Sequence, residues 1–325
     1  MFYDFINLAE LDEDDIYELL ELADGLKKMH HESRVYQPLE GQSLAMIFEK
    51  PSLRTRVSFE VGIFQLGGLG VVLDYGQIKL GERESVPDVA RNLDRWVDGI
   101  VARTFSHDAV VQLASNANIP VINALTDKLH PCQVLADAQA LREHKGDFNG
   151  LKVAFVGDGN NVCASWMNFA ARIPIDFALA CPPGFEVDED IYEFARREAE
   201  GEVFVTNDLK EAVDGADAVY TDVWASMGQE EEQAERAAVF RPYQITKDVM
   251  AMAKKDAVFM HCLPAKREQE VTSEVIDGPQ SIVFDQSENR LHTQKAVMAT
   301  LMERREDGLC PKLSHHRREQ GGEQA

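Results

Sequence analysis

The feature that most constrains this chain is an alternation of short apolar runs with stretches of helical apolar spacing. Ser43-Leu44-Ala45-Met46-Ile47-Phe48 reads as a strand and is followed by a helix over residues 55–66. Further strands are expected at 71–74, 99–103 and 120–124, with helices over 86–97 and 107–117 between them. Ahead of these, Asp12 caps a helix whose first turn is acidic, where the helix dipole favours negative charge. Ile16, Leu19, Leu20, Ala23 and Leu26 then repeat along one face of it. The pattern restarts at Leu151, with strands at 151–156, 176–180, 203–206, 218–221 and 257–260. Strands this short and apolar, alternating with helices, pair in parallel and are covered on both faces. The expected fold class is α/β: two doubly wound parallel-sheet domains. A length of 325 residues fits two domains of roughly 150 residues each. The divide is expected in the polar, Gly-bearing stretch Lys145-Gly146-Asp147-Phe148-Asn149-Gly150, giving domains over 1–147 and 148–287 and a frayed tail over 311–325.

Composition removes several function classes. The chain carries 33 basic and 56 acidic residues, a net charge of −23. Phosphate-rich surfaces would be repelled, so neither nucleic acid nor an anionic membrane is an expected partner. Its apolar runs are broken well short of the ~18 residues that a membrane span needs. No basic segment leads into an apolar stretch near the start, so no secretory signal is expected. The five cysteines (Cys132, Cys163, Cys181, Cys262, Cys310) are odd in number and scattered, without a Cys-x-x-Cys pair. The expectation is a reducing cytoplasm, with no disulfide frame, no metal site and no cofactor. An acidic chain that binds an anion must concentrate its arginines locally.

Pro51-Ser52-Leu53-Arg54-Thr55-Arg56 lies between a strand and a helix. Free N–H groups and the dipole at a helix start favour an anion there, and Ser52 and Thr55 add hydroxyl donors. Arg54 and Arg56 add charge and forked hydrogen bonding suited to phosphate. Taken alone, the stretch reads equally well as a helix cap with two surface arginines. Val156-Gly157-Asp158-Gly159-Asn160-Asn161 tempts one toward a dinucleotide fold, but Val162 stands where a third glycine would allow close helix packing. Asp222 follows the strand over 218–221, so it falls at the carboxyl edge of a sheet, where open α/β folds place ligands.

The segment Phe48-Glu49-Lys50-Pro51-Ser52-Leu53-Arg54-Thr55-Arg56-Val57-Ser58-Phe59-Glu60 resembles the carbamoyl-phosphate signature of the aspartate and ornithine transcarbamylase family. The family more often shows Thr where this chain has Leu53. Arg103, at the end of a strand, and His130-Pro131-Cys132-Gln133 match the same family in order. Thr221-Asp222-Val223-Trp224-Ala225-Ser226-Met227-Gly228, Met260-His261-Cys262-Leu263-Pro264-Ala265 and Gln286-Ser287-Glu288-Asn289-Arg290 follow. The His-Cys-Leu-Pro form is that of the ornithine-using members. Alone, His130 would read as a helix-cap residue and Cys262 as a small core hydrophobe. The ordered set reverses both readings.

The resemblance implies a transferase that moves the carbamoyl group of carbamoyl phosphate to the δ-amine of L-ornithine, with its site in an interdomain cleft. It implies that Ser52, Leu53, Arg54, Thr55, Lys79, Arg103, His130, Gln133, Cys262, Leu263 and Arg290 bind carbamoyl phosphate. Arg103, His130 and Cys262 take part in catalysis, and Asn161, Asp222, Ser226 and Met227 hold ornithine. Lys79 stands where ornithine enzymes commonly have Gln and aspartate enzymes carry Lys, and is left as a contact to phosphate. The resemblance further implies a final helix, 288–310, that returns to the first domain, and a homotrimer or a multiple of trimers. Open alternatives are a transcarbamylase using aspartate or an N-acylated ornithine, a nicotinamide dehydrogenase, and a non-catalytic member of the family.

The charge balance generates a first prediction. Self-repulsion opposes compaction at low ionic strength, and raising salt shortens the Debye length from ~30 Å at 0.01 M to ~3 Å at 1 M. The melting temperature should rise along a KCl series, while the Michaelis constant for carbamoyl phosphate rises as its attraction to arginine is screened. A melting temperature that is flat or falls with KCl would show that self-repulsion does not limit stability.

Overall fold

The computed structural model describes residues 3–74, 78–225, 233–304 and 312. Its internal contacts divide the chain into two units, Met1–Leu135 with Asn289–Ala325, and Ala136–Glu288. By internal contacts the change of unit falls within a helix, ahead of the Gly-bearing stretch near 147 where the sequence places the divide.

Unit 1 begins with α1 (Glu13–His31), whose N-cap Asp12 accepts from the Asp15 amide. Then follow β1 (Ser43–Phe48), α2 (Arg54–Gln65), β2 (Leu69–Asp74), α3 (Val86–Leu93), β3 (Gly99–Arg103), α4 (His107–Asn116), β4 (Val121–Leu125) and α5 (Pro131–Lys145), which runs on into unit 2. The sheet is parallel in the order β2-β1-β3-β4. β3 is buried at every position, as a strand covered on both faces should be, whereas the edge strand β2 is half exposed. The other edge is covered: Phe5 donates to the Val121 carbonyl at 2.9 Å and accepts from the Asn123 amide at 2.8 Å. Beneath the sheet, Ala45, Ile47, Ile100, Ala102 and Val121 pack with Val89, Leu93, Val110 and Leu113.

Unit 2 continues with β5 (Lys152–Val156), α6 (Asn161–Ala170), β6 (Asp176–Ala180), α7 (Glu189–Glu198), β7 (Val203–Thr206), α8 (Leu209–Val213) and β8 (Ala218–Thr221). Next come α9 (Gln233–Phe240), α10 (Lys247–Met250), β9 (Val258–His261), α11 (Ser273–Ile276) and α12 (Val283–Met302), whose later turns belong to unit 1. This sheet is also parallel, in the order β7-β6-β5-β8-β9. Its aromatic core stacks Phe155 on Tyr220 and Trp166 on Phe177.

The expected strands all appear, with ends shifted by a residue or two. β2 starts at Leu69, not 71, and β9 runs Val258–His261, not 257–260. Helix α3 ends at Leu93, not 97, with turns through Trp96. Such ends are set by tertiary contacts that apolar spacing does not encode. No helix among the described residues is long and apolar enough to cross a membrane. The tail over 311–325 lies outside the described residues apart from Lys312, whose ammonium donates to Asp4 at 2.8 Å.

The end of α12 that belongs to unit 1 carries His292, fully buried with its ring 5.5 Å from that of His30 and 6.3 Å from that of His31. Burial, then Lys295, His30, Lys27 and His31, push its pKa down from 6.5 to about 3. The unfolded chain therefore takes up a proton between those values that the folded one refuses. Stability present above pH 6.5 is lost progressively as pH falls toward 3. His292→Gln should lose less of its urea midpoint between about pH 7.5 and about pH 5 than the parent. Equal losses would show that His292 does not govern the acid limb.

Candidate active site

Each sheet reverses its winding direction once. In unit 1 the chain leaves β1 in one direction to β2 and in the other to β3, and in unit 2 it does the same around β5, between β6 and β8. At such a point the connections after neighbouring strands part, leaving a crevice at the carboxyl edge. Ser52, Arg54, Thr55 and Arg103 follow or end the strands at the first switch point and Asn161 and Asp222 those at the second, whereas His130 and Gln133 follow β4 and Cys262 follows β9.

In unit 1, β1 ends at Phe48 and α2 starts at Arg54. Its N-cap, Leu53, gives no side-chain hydrogen bond to the first turn, and the Leu53 side chain is 73% exposed. The departure from the family's Thr thus falls on a side chain directed to the surface. Thr55 is buried, and its hydroxyl oxygen accepts from Arg103 Nη1 at 3.3 Å and from Arg290 Nη2 at 3.0 Å. Two accepted bonds leave that hydroxyl its own proton to donate. Arg290 Nη1 donates to Gln133 Oε1 at 2.6 Å, so α2, β3, α5 and α12 converge on one buried knot.

His130 is buried beside this knot. Burial first, then Arg290, Arg103 and Arg54, hold its pKa well below the usual imidazole range. It is therefore a neutral ring, able to donate one N–H without adding to the positive charge. The three guanidiniums that face it are the local cation concentration that a chain of net charge −23 requires. Arg56 is not among them. It is exposed and donates to Glu60 at 3.1 Å, one turn along the helix. Ser52 is half-buried at the loop, and Lys79 is exposed with a left-handed φ of 45° in the turn before α3.

In unit 2, β5 leads into Gly157-Asp158-Gly159-Asn160. A Cβ on Gly159 would lie 2.3 Å from the Val187 nitrogen, so backbone packing explains this glycine without a nucleotide. Asn160 caps α6, accepting from the Val162 and Cys163 amides at 2.9 and 3.1 Å. Its Nδ2 donates to Asp222 Oδ2 at 2.7 Å. Asn161, the residue expected to meet ornithine, is half-buried at the first position of the helix.

Asp222 is buried, and its Oδ1 accepts from the Val223 amide at 2.8 Å and from the Cys262 thiol at 3.0 Å. Cys262 is partly exposed, whereas Cys132, Cys163 and Cys181 are buried. Burial pushes the Cys132 thiol up to about 12, which leaves it inert. Arg236 is a contributor that sequence reasoning missed. It pairs with Asp158, donates to the Trp224 carbonyl and stacks over Phe185 at 4.8 Å, tying the loop after β5 to the loop after β8. Ser226 and Met227 lie outside the described residues.

Asp222, His261 and Cys262 each bring one ligand-type atom within 4.8 Å of the others. Both His261 nitrogens are engaged, Nδ1 accepting from the Leu263 amide at 2.8 Å and Nε2 lying 3.3 Å from Glu270, so a cation there would have to break one of these contacts. The set is better suited to holding an ammonium group beside a thiol.

Comparison with known proteins agrees with this chemistry. Residues 3–143 match the carbamoyl-P binding domain of aspartate/ornithine carbamoyltransferase, and residues 149–301 match its Asp/Orn binding domain. The chain is 50% identical over 299 residues to an ornithine carbamoyltransferase of Syntrophus aciditrophicus, covering 92% of this chain and 99% of that one. It is 52% identical over 298 residues to one of Methanothermobacter thermautotrophicus, covering 91% and 98%. Among solved structures, the ornithine carbamoyltransferase from Pyrococcus furiosus superposes with a TM-score of 0.90 at 47% identity, over 92% of this chain and 96% of that one. With both family domains present and in order, the chain belongs to the aspartate/ornithine carbamoyltransferase family.

Proposed function

We propose that the chain transfers the carbamoyl group of carbamoyl phosphate to the δ-amine of L-ornithine, giving L-citrulline and phosphate. The observation that carries the reading is the buried knot of Arg103, Arg290 and Gln133 around Thr55, beside a neutral His130. Ser52, the Leu53 backbone, Arg54 and Lys79 bind the phosphate end at the start of α2. Thr55, Arg103 and His130 donate to the carbonyl oxygen. Attack by the amine turns that carbonyl into an alkoxide, and fixed donors aimed at it lower the barrier. The new C–N bond forms, the C–O bond to phosphate breaks, and phosphate leaves with the electron pair. Gln133, the Leu263 backbone and Cys262 hold the carbamoyl nitrogen.

Asn161, Asp222, Ser226 and Met227 hold the α-amino acid end of ornithine. The proton shed by the δ-amine is taken up at the Asp222–Cys262 pair, within reach of a group that must be neutral to attack. The same pair supports the choice of acceptor. Aspartate would bring a second carboxylate toward Asp222, and an N-acylated ornithine would offer it no ammonium. Two substrates ordered in one reaction supply much of the rate.

The working form we propose is a cytoplasmic homotrimer or a multiple of it. Leu53, Val57, Val61 and Phe64 are exposed at three- and four-residue spacing on and before α2, with Leu69 and Val71 exposed on the neighbouring edge strand β2. A second copy of the chain is the occupant that such an apolar stripe and open strand edge fit.

The deciding experiment incubates the purified chain with carbamoyl phosphate and a panel of ornithine, N-acetylornithine and aspartate. Citrulline from ornithine should dominate, and its absence would sink the reading. A further prediction separates the two substrates. Asp222→Asn should raise the Michaelis constant for ornithine about 10- to 100-fold, the worth of a hydrogen bond to a charged group, and leave that for carbamoyl phosphate nearly unchanged. Equal weakening of both would take Asp222 out of the acceptor site.

A further inference from the structure

Behind Cys262 lies a buried pair that the transfer mechanism above does not use. His261 ends β9 and Glu270 follows the tight turn over 266–269, and both are fully buried. The Leu263 amide can only donate, and it donates to His261 Nδ1 at 2.8 Å. That nitrogen must therefore present its lone pair, and the ring proton sits on Nε2. Nε2 lies 3.3 Å from Glu270 Oε1, which also accepts from the Lys266 amide. One carboxylate oxygen thus holds both ends of the loop over 262–265.

Neither partner is free to shift. The Glu270 backbone carbonyl accepts from the Ile245 amide at 2.8 Å, and the Thr272 amide returns a bond to Ile245 at 3.0 Å. The His261 amide donates to Gln286 Oε1 at 3.0 Å. Gln286 donates to Asp137 at 2.8 Å, and Asp137 also accepts from the Tyr220 hydroxyl at 2.9 Å. The loop needs such support, because Leu263 has a φ of 56°, a left-handed conformation that a leucine adopts only when its surroundings impose it. Glu270 Oε2 is buried with no hydrogen-bond partner among the described residues. A carboxylate kept at that cost is retained for what its other oxygen does.

We propose that Glu270, acting through His261, is a positioning residue: it selects the Nε2–H tautomer of His261, which holds the Leu263 turn and so sets Cys262 Sγ on Asp222. The proposal rests on the transferase reading for its kinetic consequences, but its geometric consequence does not. If the Nδ1 position carried the proton, it would face the Leu263 N–H donor to donor, and the turn would open. Cys262 would then leave its 3.0 Å contact with Asp222.

The test uses the full chain in a Cys310→Ser background, where the other described thiols besides Cys262 are buried. Kinetics with ornithine and carbamoyl phosphate are paired with the rate of Cys262 alkylation by iodoacetamide. Glu270→Leu should lower kcat about 10²-fold, the scale of a displaced reacting group, raise the KM for ornithine and change the alkylation rate, with the KM for carbamoyl phosphate unmoved. Glu270→Gln keeps an acceptor oxygen and should restore both readouts. A second pair of variants decides the matter even if Glu270→Leu does not fold. Asn at 261 mimics the Nδ1 acceptor and Gln mimics Nε2, so His261→Asn should keep more activity and a more parental alkylation rate than His261→Gln. Parental behaviour of Glu270→Leu, no rescue by Glu270→Gln, or His261→Gln matching His261→Asn would each overturn the proposal. If the parent makes no citrulline, the transferase reading fails, and the alkylation rates still decide the positioning claim.

Discussion

The reversal of strand order at β1 and again at β5 is the constraint on which the rest of this structure depends. A parallel sheet must cross over between strands, and the crossovers cover both faces, so only the strand ends remain for chemistry. Where the winding reverses, two loops diverge and leave room for a ligand. Unit 1 uses that room for a helix start and three guanidiniums, and unit 2 uses it for a carboxylate and a thiol. The two crevices have opposite electrostatic character, as two substrates of opposite charge would require.

That separation of charge resolves the tension between an acidic chain and an anionic substrate. Arg103 and Arg290 are buried and share one hydroxyl, and Gln133 takes a further N–H from Arg290. Burial weakens solvent screening, so a few guanidiniums held this way outweigh a much larger number of carboxylates spread over the surface. Burial first, and then the field of Arg290, Arg103 and Arg54, keeps His130 uncharged.

Much of this was legible in the residues. Parallel strands read as apolar runs, and both sheets were expected from them. That Thr55, Arg103, His130 and Gln133 act together was implied by the family resemblance, whereas the bonds that Thr55 accepts from Arg103 and Arg290 had no sign in the sequence. What stayed hidden depends on side-chain direction or on distance along the chain. Arg54 and Arg56 look alike in sequence, yet two residues on a helix face different ways, and only Arg54 is turned toward His130. Asn160 and Asn161 are adjacent, and only the cap geometry tells which one reaches Asp222. Arg236 and Glu270 support their loops from positions that no local motif marks. The expected divide near 147 lies between the two family domains, which match residues 3–143 and 149–301, while the internal contacts change within α5, a helix with no change in composition to mark it.

Thr55 carries one more implication. A serine or threonine hydroxyl is ordinarily a rotor, and a ligand that needs its proton must stop the rotation on arrival. Here two guanidiniums occupy the oxygen's lone pairs from opposite elements, β3 and α12. The O–H direction is therefore settled when the chain folds. A threonine's branched Cβ adds to this, since it restricts χ1 where serine would leave it looser. A substrate carbonyl meeting that hydroxyl finds a donor already at rest, and the entropy of stopping it belongs to folding and not to turnover.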